Sequence, residues 1–575
     1  MRFHRFFATI VVCAFLKPLP ALAAIQVEIS GLSDDLKSNV EAFLELETYA
    51  DDEVLTEATV RRAYKRAEKN IRDALRPFGY YDPTIKAQLS RTEQGWAVKL
   101  EIDPGRPVLL TVLDVRISGE AQTDPVFIEL VNQSGLTKSQ PIRHDYYDKL
   151  KQRLVELAAE RGFFEAELTR HELIVDPSRY VAEVHLHLNS GPRYRVGTIT
   201  VFQDFLRNDV VTRGITIEEG EYFDATRIRE TEYALYDMGY FMTVEIIPTP
   251  DPHTREASIE IRLTPTRRHR WTVGGGYSTD TQIYVRAGWE NRIANRHGHR
   301  MGLNIRLSEI KQDLLYRYII PHKKPNERLT ILTGFIREKR GDTRSNRFEI
   351  APIDTAYWGQ WQRDLFGIVQ AEVSDIAERT FDDVWLIPGL RALRATWDNP
   401  TNPSRGYKLA PAARGSLTEL GSKTDYLQLH LRSAAYVPVT PKWRFYLRGE
   451  IGATAVDDFS VLPASQRFFA GGDRSVRGYG FNELSPVDED GNKIGGRNLV
   501  FGSVELEFDV RPKWTIDTFF DFGNAVDSFS DPLEYSAGIG MRWRSPLGLI
   551  GADIAQSLSE PELGPRLHLS IRPEL

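Results

Sequence analysis

The chain has a single cysteine among its 575 residues, Cys13. No disulfide, cysteine-held zinc or thiol nucleophile can be assembled from the rest. Long apolar runs are also missing. Past the N-terminal leader no stretch reaches the about 18 residues that a spanning helix needs, and mean hydropathy is −0.36. Charge of one sign is scarce: 73 Lys and Arg face 80 Asp and Glu, a net of −7, which gives no general reason to expect nucleic-acid binding. No G-x-S-x-G elbow is present. Gly274-Gly275-Gly276 has no following Lys-Ser/Thr, so it is no phosphate loop. The pairs His185-Leu186-His187 and His297-Gly298-His299 have no carboxylate or third ligand following at metal spacing. These absences predict a protein that is not an enzyme and takes no cofactor or metal.

What is present begins with a secretory leader. Arg2 and Arg5 make a basic start, Phe6 to Phe15 is apolar, and Ala21-Leu22-Ala23 offers a cleavage site, so 1–23 reads as a signal peptide. Val12 before Cys13 is not the small residue expected of a lipoprotein site. A secreted chain without a spanning helix can still cross a membrane as a closed β-barrel, in which every backbone group is paired.

The texture divides near residue 267. Before it, a helix-like segment ends three times in glycine and two aromatics: Gly79-Tyr80-Tyr81, Gly162-Phe163-Phe164 and Gly239-Tyr240-Phe241, spaced 83 and 77 residues apart. Glycine is the expected left-handed helix stop, and the aromatics are expected to open a strand. Each unit starts and closes with an alternating strand, as in Ile25–Ile29 and Val98–Ile102. The spacing predicts three α+β modules, 24–106, 107–193 and 194–266; a unit this long is unusual for a solenoid.

From 267 to 575 apolar and polar residues alternate strand after strand. Leu427, Leu429 and Leu431 interleave with Gln428, His430 and Arg432; Val504, Leu506 and Phe508 interleave with Glu505, Glu507 and Asp509. Apolar outside and polar inside is the dyad of a transmembrane antiparallel barrel, and the length accommodates about 16 strands. Aromatics at 11% suit interfacial girdles.

One constellation stands out in that half. Arg477 lies in a glycine-rich connection, Gly471-Gly472-Asp473-Arg474-Ser475-Val476-Arg477-Gly478-Tyr479. Strand parity turns Glu505 inward with Ser503, and Asp521 inward with Gly523. An arginine carried by a loop into a polar enclosure needs a fixed carboxylate partner.

This arrangement resembles the loop-to-wall lock of the BamA-like outer-membrane insertase superfamily, with Arg477, Gly478, Tyr479, Glu505 and Asp521 in the matching places. The N-terminal repeats resemble its POTRA modules. Trp397-Asp398-Asn399-Pro400-Thr401-Asn402-Pro403-Ser404-Arg405-Gly406-Tyr407 resembles the superfamily's mid-barrel hairpin, and Gly538 to Gly548 followed by Asp553 resembles its penultimate one. Three modules, the string Gly274 to Thr281, Asn295-Arg296-His297-Gly298-His299 and the ending Pro573-Glu574-Leu575 are most similar to the TamA branch.

The resemblance implies residence in the outer membrane, with the modules in the periplasm. It implies a role in inserting or secreting β-barrel clients such as autotransporters, with a TamB-like inner-membrane-anchored protein as partner. It also implies a weak seam between the first and last strands, marked by Trp271, Tyr277, Leu567, Leu569 and Ile571. A different expectation is a two-partner-type secretion pore that passes an unfolded exoprotein through its lumen; such transporters carry two modules and a plug helix.

Overall fold

The computed structural model describes residues 25–48, 56–92, 95–324, 326–377, 379–399, 402–546 and 548–572. The expected leader and the ending Pro573-Glu574-Leu575 lie outside the described residues, as do Pro400 and Thr401 of the mid-barrel hairpin. Two compact units form. One takes in the described residues up to 200 with 217–229 and 247–259; the other takes in 201–216, 230–246 and the described residues from 260 on. The third module, expected over 194–266, is therefore shared between them.

The first module runs β1 (Ile25–Ser30), α1 (Asp34–Phe43), α2 (Glu45–Thr48), α3 (Glu57–Leu75), β2 (Thr84–Thr92) and β3 (Gly95–Asp103). Its sheet order is β1-β3-β2, with β1 parallel and β2 antiparallel to the central β3. Helix α3 starts where the Thr56 hydroxyl accepts from the Thr59 amide at 3.3 Å. Its Val60, Ala63, Ala67, Ile71 and Ala74 recur at helical spacing and are buried.

The second module repeats the plan as β4 (Leu109–Ser118), α4 (Pro125–Asn132), α5 (His144–Glu160), β5 (Glu167–Asp176) and β6 (Val181–Asn189), order β4-β6-β5. The third is β7 (Arg195–Phe202), α6 (Asn208–Val211), α7 (Ala225–Asp237), β8 (Phe241–Asp251) and β9 (Glu256–Pro265), order β7-β9-β8.

The repeated glycines take the left-handed conformation expected of helix stops: φ is +88° at Gly79, +84° at Gly162 and +69° at Gly239. The aromatics behind them behave differently from expectation. Only Phe241 opens a strand; after Tyr80-Tyr81 and Phe163-Phe164 the strands begin later, at Thr84 and Glu167. The reason is that these residues form joints. The Gly79 carbonyl accepts from Val108 at 2.8 Å, the Gly162 carbonyl from Tyr194 at 2.9 Å, and the Tyr240 carbonyl from Thr266 at 2.8 Å. Tyr81 bonds His144 of the second module at 2.6 Å. Phe164 packs edge-on to Phe223 of the third, 4.9 Å between centroids. The Tyr240 hydroxyl donates to the Gly298 carbonyl in a barrel turn at 2.5 Å.

The remainder is a closed antiparallel barrel of sixteen strands. They are β10 (His269–Ser278), β11 (Gln282–Asn291), β12 (Arg300–Ser308), β13 (Lys311–Pro321), β14 (Arg328–Arg340), β15 (Thr343–Trp358), β16 (Trp361–Ile376), β17 (Arg379–Ala395), β18 (Gly406–Ser416), β19 (Tyr426–Pro438), β20 (Trp443–Val456), β21 (Asn498–Arg511), β22 (Trp514–Val526), β23 (Glu534–Ser545), β24 (Gly548–Ser557) and β25 (Arg566–Arg572). The dyad is visible in exposure: Leu427 and Leu429 are 52% and 53% exposed while Gln428 between them is 1% exposed. The wall is uneven. β15, β16 and β17 have 16, 16 and 17 residues, whereas β10, β12 and β25, at or near the closure, have 10, 9 and 7.

Candidate functional site: a loop fixed in the barrel lumen

The connection from β20 to β21, residues 457–497, folds into the lumen. Gly471 and Gly472 turn it with φ of +100° and +101°, values open to glycine. Phe468, Ala470, Val476, Tyr479 and Leu484 of the loop pack with Leu499 and Phe501 of β21 and Ala525 of β22 in one apolar cluster. Arg467 holds the loop's shape from within, donating to the carbonyls of Phe459, Ser460, Leu462 and Ile494.

Arg477 is the tip that meets the wall, and it is 1% exposed. Its guanidinium grips Asp521 with two bonds, Nε to Oδ2 at 2.8 Å and Nη2 to Oδ1 at 2.7 Å. Nη2 also donates to Glu505 Oε1 at 3.0 Å and to the Ser503 hydroxyl at 3.2 Å, and the Arg477 amide donates to Asp521 Oδ2 at 3.2 Å. These partners converge because Ser503 stands opposite Asp521, and Glu505 opposite Phe519, in the β21–β22 register. Phe519 lies beneath the guanidinium, 3.3 Å from ring centre to Cζ. The planar fork, its flat aromatic floor and its paired carboxylates suit arginine and no other cation.

The neighbours of Arg477 dock the same loop on the next strands. Gly478 lies so near the wall that a Cβ there would stand 2.7 Å from the Ser536 Cβ and 2.9 Å from the Ser557 backbone. Tyr479 donates to Glu534 at 2.7 Å and accepts from Ser557 at 3.0 Å. Further cations and carboxylates continue along the lumen: Arg448 with Glu505 at 2.9 Å, Arg444 with Glu507 at 2.6 Å, and Arg542 with Asp553. They line a polar cavity of about 270 Å³.

Sequence reasoning missed two further anchors. On the long-strand side, Ser465 donates to Glu372 of β16 at 2.5 Å, and Gln428 of β19 donates to the Gln466 carbonyl at 2.8 Å. On the closure side, the Asp473 amide donates to Asp280 at 2.5 Å, the Ser278 hydroxyl donates to Asp473 at 3.2 Å, and His568 bonds the Arg477 carbonyl at 2.7 Å. One loop therefore touches the end of the first barrel strand, the last strand and the far wall. No spacing in the sequence signals these partners; only the inward parity of Glu372 and His568 marks them as available.

The closure itself is sparse. Among the described residues β10 meets β25 only at Tyr277–Ile571 and Ser278–Ser570, extended by the Thr279 amide donating to the Leu569 carbonyl at 3.0 Å. β10 pairs with β11 along its whole length. Of the expected seam residues, Tyr277 and Ile571 are direct partners and the Leu569 backbone takes part. Trp271 and Leu567 do not face across the seam: Trp271 pairs with Trp289 of β11, and Leu567 with Ile554 of β24.

Elsewhere, Asp398 closes the β17–β18 turn by accepting from the Ser404 and Arg405 amides at 2.9 and 3.1 Å. The Ser404 hydroxyl, followed by these amides, holds its carboxyl below the usual range. His299 is bonded to the Tyr318 hydroxyl at 2.7 Å.

Fold and site together define an outer-membrane β-barrel that carries POTRA modules on its periplasmic side and a loop bound in its lumen. Residues 371–566 match the Omp85 superfamily domain, and residues 26–104 match the POTRA domain described as TamA domain 1. The chain thus carries an Omp85 superfamily barrel domain behind a TamA-type first POTRA domain. It is 25% identical over 361 residues to the outer membrane protein assembly factor BamA of Nitratidesulfovibrio vulgaris, covering 60% of this chain and 46% of that protein. With BamA of Neisseria meningitidis the identity is 23% over 436 residues, covering 63% and 54%. The chain spans about half the length of the curated relatives it matches. In fold it is similar to the crystal structure of Haemophilus ducreyi BamA lacking POTRA domains 1-3, with a TM-score of 0.69 at 16% identity over 80% of this chain and 99% of that one.

Proposed function

We propose that this protein assembles or translocates β-barrel clients at the outer membrane, autotransporters among them, by parting its own seam so that a client strand pairs with the exposed edge of β10. The observation that carries the reading is the seam: among the described residues two register pairs hold β10 to β25, the fewest of any strand junction in the barrel, the next sparsest being β17–β18 with five. An unpaired strand edge is a template for another strand. The short strands at that side support local thinning of the bilayer, since a strand advances about 3.3 Å per residue. Bilayer thickness mismatched to a protein's apolar band is strained. The edge strands β2, β5 and β8 of the modules offer further sites for extended clients, and the first module is the proposed dock of a TamB-like inner-membrane-anchored partner. No nucleotide and no covalent step is required.

The test is a lock across the seam. Tyr277 and Ile571 are direct partners, and the described residues contain no cysteine. Tyr277→Cys with Ile571→Cys should crosslink on oxidation. The locked protein should lose client assembly in proteoliposomes and recover it on reduction. Unchanged activity of the locked protein would show that the seam need not open. A closed barrel that only thins the bilayer, or a pore through the lumen, would then replace the present reading.

A further inference from the structure

The outer face of the second module's sheet, opposite its helices, gathers a histidine pair and a carboxylate from different strands. In β6, Ala182, Val184, Leu186 and Leu188 point into the core, so Glu183, His185 and His187 share the other face. The adjacent β4 is parallel and in register, placing Asp114 beside His185 and Arg116 beside His187. No carboxylate follows the His185-Leu186-His187 string at metal spacing, yet the fold supplies one from 71 residues earlier.

We propose that Asp114, His185 and His187 form a binding site for a divalent transition cation of the zinc type. Asp114 Oδ2 lies 2.9 Å from His187 Nε2 and 3.4 Å from His185 Nδ1, and the three ligand atoms fall within 4.8 Å of one another. Ligands at about 2.1 Å from a tetrahedral zinc are about 3.4 Å apart, so the two edges from Asp114 are close to the required length. One imidazole on each of two alternating strand positions and one carboxylate form a three-ligand set that leaves the solvent side for water.

The second observation is the orientation of each ligand. His185 is 9% exposed, and its other nitrogen, Nε2, lies 3.2 Å from Glu183 Oε2. In the tautomer that donates its Nε2 proton to Glu183, His185 turns its Nδ1 lone pair toward Asp114. In that tautomer two lone-pair atoms stand 3.4 Å apart, an arrangement that a positive centre between or beside them would stabilise. A carboxylate behind a ligating imidazole is the usual support of a metal-bound histidine. Arg116 holds the opposite oxygen of Asp114, Nε to Oδ1 at 2.7 Å, which aims Oδ2 at the two rings. Arg170 on β5 is engaged with Glu172 at 2.8 Å and makes no such contact with Asp114.

The experiment uses the full chain in detergent, stripped with chelator and titrated with zinc chloride by calorimetry, with bound metal counted by mass spectrometry. One equivalent is expected. His187→Ala and Asp114→Asn should each abolish it, and Glu183→Gln should weaken it by about 10-fold or more, the effect of losing an outer-shell carboxylate. His299→Ala, in the other histidine pair, should leave binding unchanged, and calcium chloride should give no heat, because two imidazoles disfavour a hard cation. His187 and Asp114 have partly exposed side chains, so their variants should fold, as circular dichroism would show. The absence of stoichiometric zinc on the wild type, or binding that survives His187→Ala or Asp114→Asn, would overturn the proposal.

Discussion

Two places in one barrel hold strands together in opposite ways. At β21–β22 the register runs from Asn498–Val526 to Arg511–Trp514 and is reinforced from inside by Arg477, which binds Asp521, Glu505 and Ser503 at once. At β10–β25 two register pairs suffice, and the inside support is a carboxylate and a histidine that touch the same loop. A barrel built evenly would have no reason for this contrast. The loop spans both places. It is held firmly by the wall that stays closed and more lightly by the junction proposed to open.

The largest expected effect comes from breaking the wall. Arg477→Ala leaves Asp521 buried without the cation that grips it and leaves Glu505 to Arg448 alone. That should cost about 3–5 kcal/mol, read as a lowered melting temperature of the heat-modifiable band and as loss of client assembly. Arg477→Lys should recover little, because the bidentate fork is lost. Wild-type activity of Arg477→Ala would remove the lock from the mechanism.

How far the sequence reveals this contrast depends on the kind of signal. Inward parity of Glu505 and Asp521 is legible because strand side chains alternate with period two. Arg477 is legible because a cation in a glycine-rich loop beside inward carboxylates has few other uses. The far anchors Glu372 and Gln428 are not legible, since their partners Ser465 and Gln466 lie in a loop whose path no local rule fixes. Trp271 and Leu567 were expected at the seam on strand identity alone. Register depends on shear around all sixteen strands, and it pairs Trp271 with Trp289 and Leu567 with Ile554 instead. The three modules are legible from their glycine stops. The aromatics behind them serve joints rather than uniformly opening strands, because each must cover a surface contributed by the next domain, such as Ile142 beside Gly79 and Phe223 beside Gly162.

A smaller effect should follow from Gly478→Ala. The added methyl meets the Ser536 Cβ and the Ser557 backbone at 2.7–2.9 Å, and these two residues are held opposite each other in the β23–β24 register, so they yield poorly. Overpacking of this kind costs about 1–3 kcal/mol. The Arg477 fork would be displaced rather than deleted, so thermal stability should fall less than in Arg477→Ala and assembly should be slowed, not abolished. Equal losses in the two variants would mean that docking depth, rather than the ion pair, sets the strength of the wall.

The smallest effect should come from Asp280→Asn, and it bears on the seam alone. Asp280 accepts from the Asp473 amide at 2.5 Å and faces His568 Nδ1 at 3.6 Å. Asparagine keeps the shape and an acceptor oxygen but removes the charge, a change of about 1 kcal/mol for a hydrogen bond made to a neutral group instead of an ion. The lock at Asp521 is untouched, so the melting temperature should barely move. Hydrogen exchange should quicken at the amides that close the seam, Thr279 and Leu569, and remain slow along β21 and β22. Because the seam is proposed to part in function, client assembly should hold steady or rise. If exchange quickens equally on both sides of the barrel, the loop transmits strain as one body. The seam would then not be an independently weak junction.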